Sequence, residues 1–260
     1  MYSAEEIKTA HTGLADIFKR GKVLFGGSYL YGDATEQSDL DFYLICSFHD
    51  FFYYRRRPEI INAVKSRFSG VRLMIIPKIF FSLGWYYVYG RNLDGEIEIS
   101  GISGKTIFRN SLKLACLHYL SSLLANGEAE RSVSLSKSAN QVNVAAIVRS
   151  LPMICRKREP IFSRKFMHAK LKQLDISDCG CEPFNAINRL YNSADDLLNF
   201  SFSNYFIYNI RFILRGNFAF LTKNPDKYIL DRIISGISGG NNLKQLHDEM
   251  SEIIFPVYIL

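Results

Sequence analysis

The sequence has few features of a secreted, membrane-bound or disulfide-stabilised protein. Its five cysteines stand at irregular positions, which does not indicate a disulfide framework. No stretch of about 18 apolar residues is free of charge and proline, so we expect no membrane span. The N-terminal residues MYSAEEIKTA lack the basic and then apolar pattern of a signal peptide. We therefore expect a soluble cytoplasmic protein without a membrane partner.

Signatures of metal binding by cysteine are also scarce. Cys179 and Cys181 stand one residue apart, but no neighbouring His or Cys pair completes a tetrahedral site. Cys46 and Cys116 lie in apolar runs, which favours core positions. We therefore expect no structural metal ion.

The chain has enough apolar residues for one large domain or two modest ones. Of its 260 residues, 48% are hydrophobic, which supports a sizeable core. The Gly-Ile-Ser-Gly segment at 101–104 marks a change, because helical patterns dominate beyond it. We predict an α/β domain at residues 1–104 and an all-α helical bundle at residues 105–260. Helix candidates in the second part include 139–151, 162–174, 183–200, 204–221, 226–236 and 241–253.

The most informative stretch is residues 23–46, VLFGGSYLYGDATEQSDLDFYLIC. It contains two short apolar runs, separated by a Gly-Gly-Ser turn and a polar connection, which predicts two strands. Because side chains alternate along a strand, Asp39 and Asp41 would share one face of the second strand. The other face would then carry Leu40, Phe42 and Leu44 into the core.

Both ends of this stretch suit phosphate chemistry. Two neighbouring carboxylates repel each other, and a divalent cation such as Mg²⁺ removes that repulsion. Gly27 lacks a Cβ, so its backbone can approach a phosphate closely, and Ser28 follows it in the turn. A phosphate turn beside a carboxylate pair suggests phosphoryl or nucleotidyl transfer.

These residues resemble the motif of the polymerase-β-like nucleotidyltransferase superfamily. Its pattern is an apolar residue, Gly, then Gly or Ser, about ten residues, and Asp-x-Asp between apolar residues. Here Phe25 precedes Gly-Gly-Ser, and ten residues separate Ser28 from Asp39. The resemblance implies a mixed-sheet nucleotidyltransferase fold that uses ATP or another nucleoside triphosphate. It also implies that Asp39 and Asp41 bind two Mg²⁺ ions and that Gly27 and Ser28 bind the phosphates.

The superfamily usually supplies a third carboxylate from a later strand, and this sequence departs from that pattern. The predicted strand 71–76 contains no acid, and Arg72 stands where one is expected. Glu96 and Glu98 are the nearby candidates, in a predicted hairpin over residues 85–99. We favour Glu98 as catalytic because Ile97 and Ile99 flank it, and ordinary solvent-facing glutamates are the alternative.

A basic cluster lies in the second part of the chain. Residues 1–104 hold 12 basic and 12 acidic side chains, so the net charge of +7 belongs to the remainder. Residues 156–172 contain seven Lys or Arg and one Glu, which suggests an anionic partner. Arg164 and Lys165 are our preferred nucleotide- or acceptor-binding residues, since they follow Ser163, a predicted helix cap. A solvated helix surface is the alternative.

The predicted activity is transfer of a nucleoside monophosphate to an acceptor hydroxyl with release of pyrophosphate. The acceptor is open among a small molecule, RNA and protein. The basic cluster favours RNA or another phosphate-bearing acceptor, although the sequence lacks a known RNA-binding module. One alternative is a catalytically inactive nucleotide- or nucleic-acid-binding protein on the same fold. Another is an unrelated α/β scaffold with a structural Asp pair.

Overall fold

The computed structural model describes residues 1–84, 86–101, 103–151, 159–175, 182–199, 224–240 and 242–254. The described residues divide into two compact units. The first contains residues 1–106 together with 159–169. The second contains 107–151 and the described residues from 170 to 254. The division predicted after residue 104 placed all later residues in a helical domain, whereas the structure groups 159–169 with the first unit.

The first unit is built on a five-stranded sheet of order β3-β2-β1-β4-β5. β2 and β3 run parallel and the other neighbouring pairs are antiparallel, which confirms the predicted mixed sheet. The strands are β1 Gly21–Gly26, β2 Leu40–Cys46, β3 Val71–Pro77, β4 Tyr89–Arg91 and β5 Ile97–Ile99. The helices are α1 Ala4–Ile17, α2 Gly27–Tyr31, α3 Phe48–Arg55, α4 Pro58–Arg67 and α5 Lys78–Ser82.

The two faces of β2 differ as the sequence predicts. Leu40, Phe42 and Leu44 are all buried, with relative exposures of 2% or less. The ring of His11 in α1 lies 5.5 Å from that of Phe42, so α1 covers this face. Asp41 stands on the opposite face, because side chains alternate along a strand.

Local signals in the sequence explain where several of these helices begin. Ser3 and Glu6 form a reciprocal capping box at the start of α1, in which each side chain accepts a hydrogen bond from the other residue's backbone N–H. Pro58 is the first residue of α4, where its missing N–H costs no helical hydrogen bond. α2 and α5 are short helices of five residues that the sequence pattern did not predict.

His11 links α1 to the sheet in a way that depends on pH. Its Nε2–H donates to the carbonyl oxygen of Val23 at 2.9 Å. Burial lowers the pKa of this imidazole below its usual value of 6.5, and the hydrogen bond opposes that effect only in part. The unfolded chain therefore binds a proton at this site more readily than the folded chain.

We expect the stability that neutral His11 provides to be complete above about pH 6.5 and to decrease as the pH falls below that value. The measurement is urea unfolding between pH 5.5 and 7.5 for the wild type and His11→Gln. The wild-type midpoint should decrease more steeply on acidification, because every other titrating group is common to both proteins. Parallel midpoint curves would contradict this role of His11.

The described part of the second unit is helical throughout. Its helices are α6 Gly104–Leu124, which starts in the first unit, α7 Glu128–Ser150, α9 Pro183–Asn192, α10 Asp195–Leu198, α11 Pro225–Gly239 and α12 Leu243–Ile254. α8, Arg164–Gln173, begins in the first unit and ends in the second. The predicted helix 204–221 and the Cys179–Cys181 pair lie outside the described residues. None of the described helices is both long and apolar enough to cross a membrane.

The second unit contains a buried cluster of charges that sequence patterns did not predict. Lys113 Nζ lies 2.6 Å and Arg109 Nε 3.2 Å from the two carboxylate oxygens of Asp226. All three side chains are at most 8% exposed. The two cations stand four residues apart on α6, so one carboxylate on α11 contacts both. Cys116, also on α6, is buried as predicted, and so is Cys46 on β2.

Candidate active site

Gly27 and Asp41 meet at the end of β1. Gly26 pairs with Asp41 in the β1–β2 ladder, so the Gly-Gly-Ser turn begins beside this carboxylate. Gly27 has a φ of +70°, which favours glycine. A Cβ at Gly27 would overlap the Asp41 carboxylate and lie 2.7 Å from Asp41 Cγ. Glycine is therefore required here by the position of Asp41 as well as by the backbone.

Asp39 lies immediately before β2, one residue outside the strand. It is exposed, and the following Leu40 N–H donates to the Gly70 carbonyl at 2.9 Å. The predicted extended strand thus begins one residue later than the Asp-x-Asp motif. Asp41, half-buried and within the ladder, is the more firmly positioned of the two carboxylates.

Ser28 occupies the first turn of α2, next to Gly27. Its carbonyl accepts hydrogen bonds from the N–H groups of Gly32 and Asp33, and Gly32 ends the helix in the left-handed conformation. These bonds fold the connection between β1 and β2 into a compact turn. Among the described residues, no protein group hydrogen-bonds to the Ser28 hydroxyl, which leaves it available for a ligand.

Arg72 on β3 is the direct partner of Asp41 in the parallel β2–β3 ladder. Directly paired residues project from the same face of a sheet, about 4.8 Å apart. The position beside Asp41, where the superfamily resemblance leads one to expect an acid, therefore carries a guanidinium group. The sequence indicated this departure, and the strand register locates it.

Glu98 is not brought to Asp41, because β1 and β4 separate its strand β5 from β2. Its Oε1 accepts from Lys22 Nζ at 2.8 Å and from Asn92 Nδ2 at 3.1 Å. Asn92 Nδ2 also donates to Glu96 at 3.2 Å. Both predicted candidates for the third carboxylate are thus held in the β4–β5 hairpin, where Glu98 pairs with a lysine.

Asp39 and Asp41 are the side chains that could hold a magnesium ion at this site. Within the described residues, no group of three His, Cys, Asp or Glu side chains could hold a metal ion. Mg²⁺ is commonly held by one or two carboxylates together with substrate phosphates and water, which Asp39 and Asp41 could provide. The donor set therefore fits Mg²⁺ that needs the nucleotide to complete its coordination.

Arg164 and Lys165, predicted from charge alone, lie against the turn between α2 and β2. The Arg164 backbone N–H donates to Asp33 Oδ2 at 2.5 Å. Lys165 Nζ lies 3.6 Å from the place that a Cβ on Gly32 would occupy. Ser163 accepts from the Phe166 N–H at 3.1 Å, which confirms the predicted cap of α8. Residues 156–158 of the basic cluster lie outside the described residues.

The structure brings Tyr31 and Tyr43 near Asp41, which the sequence patterns did not predict. The rings of Tyr31 and Tyr89 lie 5.8 Å apart, and Tyr87 packs on Phe162 at 4.3 Å. Burial raises the pKa of Tyr31 and of Tyr43, and the nearby Asp41 carboxylate adds to both effects. Their hydroxyls therefore remain protonated at neutral pH. The two residues thus place aromatic rings and neutral hydroxyls near Asp41.

Comparison with known domain families finds a match within the first unit. Residues 7–89 match the family model of the nucleotidyltransferase domain. This match confirms the resemblance drawn from the motif, and it covers about a third of the chain. The matched range of the nucleotidyltransferase domain contains Gly27, Asp41 and Arg72 and ends before Glu98. No curated protein and no solved structure gives a significant match.

Proposed function

We propose that the chain is a Mg²⁺-dependent enzyme that transfers a nucleoside monophosphate from ATP or another nucleoside triphosphate to an acceptor hydroxyl. The observation that supports this most strongly is the contact between Gly27 and Asp41 inside a nucleotidyltransferase domain. The proposed metal-binding carboxylate and the proposed phosphate turn are thereby adjacent. The proposal places this reaction in the cytoplasm, where nucleoside triphosphates are available.

In the proposed reaction, the acceptor oxygen bonds to the α-phosphorus while the bond from that phosphorus to the bridging oxygen breaks. Pyrophosphate leaves with the electron pair, and the acceptor proton passes to solvent. Asp39 and Asp41 would hold Mg²⁺, which when bound neutralises phosphate charge and acidifies the acceptor hydroxyl. The Gly27 backbone and the Ser28 hydroxyl would bind the phosphates. Glu98 is omitted from these roles because Lys22 and Asn92 hold it three strands from Asp41.

Lys165 would bind a phosphate of the donor or of the acceptor. Within the described residues, no carboxylate pairs with its ammonium group, which lies over the turn that follows Ser28. The Asp33 carboxylate at the start of α8 offsets the cost of placing two cations at a helix N-terminus. RNA is the acceptor that this basic segment favours, and small molecules or proteins are the other candidates.

A nucleotide-binding protein without transferase activity is the second candidate function. The observation that favours it is the guanidinium of Arg72 beside Asp41, where a third carboxylate is expected. Such a protein would bind a nucleoside triphosphate with Mg²⁺ but would release no pyrophosphate. Binding and turnover therefore have to be measured separately.

Calorimetric titration with α,β-methylene nucleoside triphosphates and Mg²⁺ tests the nucleotide site. We expect the wild type to bind at least one of the adenine, guanine, cytosine and uracil analogues. Lys165→Ala should raise the dissociation constant about 10-fold, because it removes one charge-assisted contact. Lys172→Ala is the matched control, since this exposed lysine lies two turns further along α8. Absence of binding to the wild type would contradict the proposed function. Equal loss in both variants would contradict a specific role of Lys165.

A further inference from the structure

Three neighbouring strands place Gly26, Asp41 and Arg72 in one row across the sheet. Gly26 is the ladder partner of Asp41 on β1, and Arg72 is its partner on β3. The row therefore begins at the proposed phosphate turn, crosses the proposed metal ligand and ends at a cation. A triphosphate bound at the turn and reaching Asp41 through Mg²⁺ would come within reach of the long Arg72 side chain.

Arg72 is available for a ligand. Its side chain is half-buried, and among the described residues no carboxylate pairs with its guanidinium and no carbonyl accepts from it. The charge of Arg72 acts on Tyr43. Burial raises the pKa of Tyr43, and the positive charge of Arg72 lowers it in part. Half-burial strengthens the attraction of such a cation for an anion, because less water screens it.

A cation at this position changes the charge balance of the site. Three carboxylates supply three negative charges, enough to hold two divalent ions with help from phosphate oxygens. Two carboxylates and one guanidinium leave a single net negative charge. A second Mg²⁺ beside Arg72 would therefore be repelled, whereas the phosphates would be attracted by a planar fork of donors that matches their oxygens.

We propose that Arg72 binds the triphosphate of the donor nucleotide in place of a second metal ion, so that the site takes one Mg²⁺ rather than two. This inference rests on the proposed function and deepens it. Arg72 then supplies the positive charge that a second metal ion, held by a third carboxylate, would otherwise supply. Asp39 and Asp41 hold the single ion, and Arg72 fixes the orientation of the leaving pyrophosphate.

Two binding measurements test the proposal without relying on turnover. The first counts Mn²⁺ ions bound to the wild type by electron paramagnetic resonance, with saturating α,β-methylene triphosphate, and we expect about one per chain. The second is calorimetry of the triphosphate analogue and of the corresponding nucleoside. Arg72→Ala should weaken the triphosphate by at least about 10-fold and leave the nucleoside unchanged. Arg72→Lys should recover part of the loss, because it keeps the charge without the fork.

Arg56→Ala is the matched control, since this exposed arginine follows α3 and belongs to the same unit. Thermal unfolding of each variant verifies the fold. If Arg72→Ala is unstable, the affinity comparison uses Arg72→Lys instead. Two Mn²⁺ ions per chain, or unchanged triphosphate affinity in the folded Arg72 variants, would overturn the inference and leave the proposed function standing. A wild type that binds none of the triphosphate analogues would overturn both.

Discussion

Asp41→Asn is expected to reduce nucleotidyl transfer at least about 100-fold while the chain stays folded. The carboxylate lies in the ladder between β1 and β3 and contacts the Gly27 backbone turn. Asparagine has nearly the same shape, so the variant removes the charge that would hold Mg²⁺ and preserves the packing. The measurement is steady-state release of pyrophosphate at saturating Mg²⁺ and nucleotide.

The matched control is Asp94→Asn, which removes a carboxylate from the exposed turn between β4 and β5. It should retain turnover close to that of the wild type. Asp39→Asn should also lose most activity, although this residue lies outside β2. If Asp41→Asn kept at least half of the wild-type turnover, the assignment of this carboxylate as metal ligand would be wrong.

The largest expected change in stability follows removal of Asp226. Asp226→Ala leaves Arg109 and Lys113 without the carboxylate that contacts both inside the helical unit. Removing one partner of a buried ion pair costs about 3–5 kcal/mol, because the remaining charge stays desolvated. We expect the free energy of unfolding to fall by that amount, measured by urea denaturation followed by circular dichroism.

Asp195→Ala is the control for this experiment. Asp195 pairs with Lys227 at 3.4 Å, but its side chain is 77% exposed, so its removal should cost less than about 1 kcal/mol. A loss of similar size in both variants would show that burial of Asp226 carries no special cost. A folded Asp226→Ala protein of wild-type stability would contradict the ion-pair account.

The motif was predictable because its parts are local. Gly27, Asp41 and the buried face of β2 lie within two consecutive strands, and alternation along a strand needs no long-range information. The family match to residues 7–89 spans these two strands. The choice of Glu98 depended on the order of strands in the sheet. β4 pairs with β1 rather than with β3, and one sequence does not reveal that pairing.

Contacts between distant segments explain why the two observed units differ from the two predicted domains. Asp33 accepts from Arg164 across 131 residues, and Tyr87 accepts from the Ile161 N–H across 74. These bonds draw residues 159–169 into the first unit, although the predicted division assigned them to the helical domain. The charge of Arg164 and Lys165 suggested a binding role, but only the fold shows which turn they lie against.

One part of the buried ion cluster can be inferred from the sequence pattern. Arg109 and Lys113 stand four residues apart in a helix whose neighbouring positions are mainly apolar, so a buried pair of cations was a reasonable expectation. Their partner Asp226 lies more than 100 residues later, at the start of α11. An acid in the first turn of a helix is common, because it interacts favourably with the helix dipole, so the position of Asp226 does not by itself indicate a long-range partner.

The most direct test of the central claim is the fate of two labels on the nucleoside triphosphate, one at the α- and one at the γ-phosphorus. The chain is incubated with each labelled triphosphate, Mg²⁺ and total RNA, a protein extract or a small-molecule extract as acceptor. The proposed transfer predicts that the α-label becomes attached to an acceptor and the γ-label is released in pyrophosphate, with both events lost in Asp41→Asn. Transfer of the γ-label to an acceptor, its release as inorganic phosphate, or retention of both labels on the triphosphate would contradict nucleotidyl transfer.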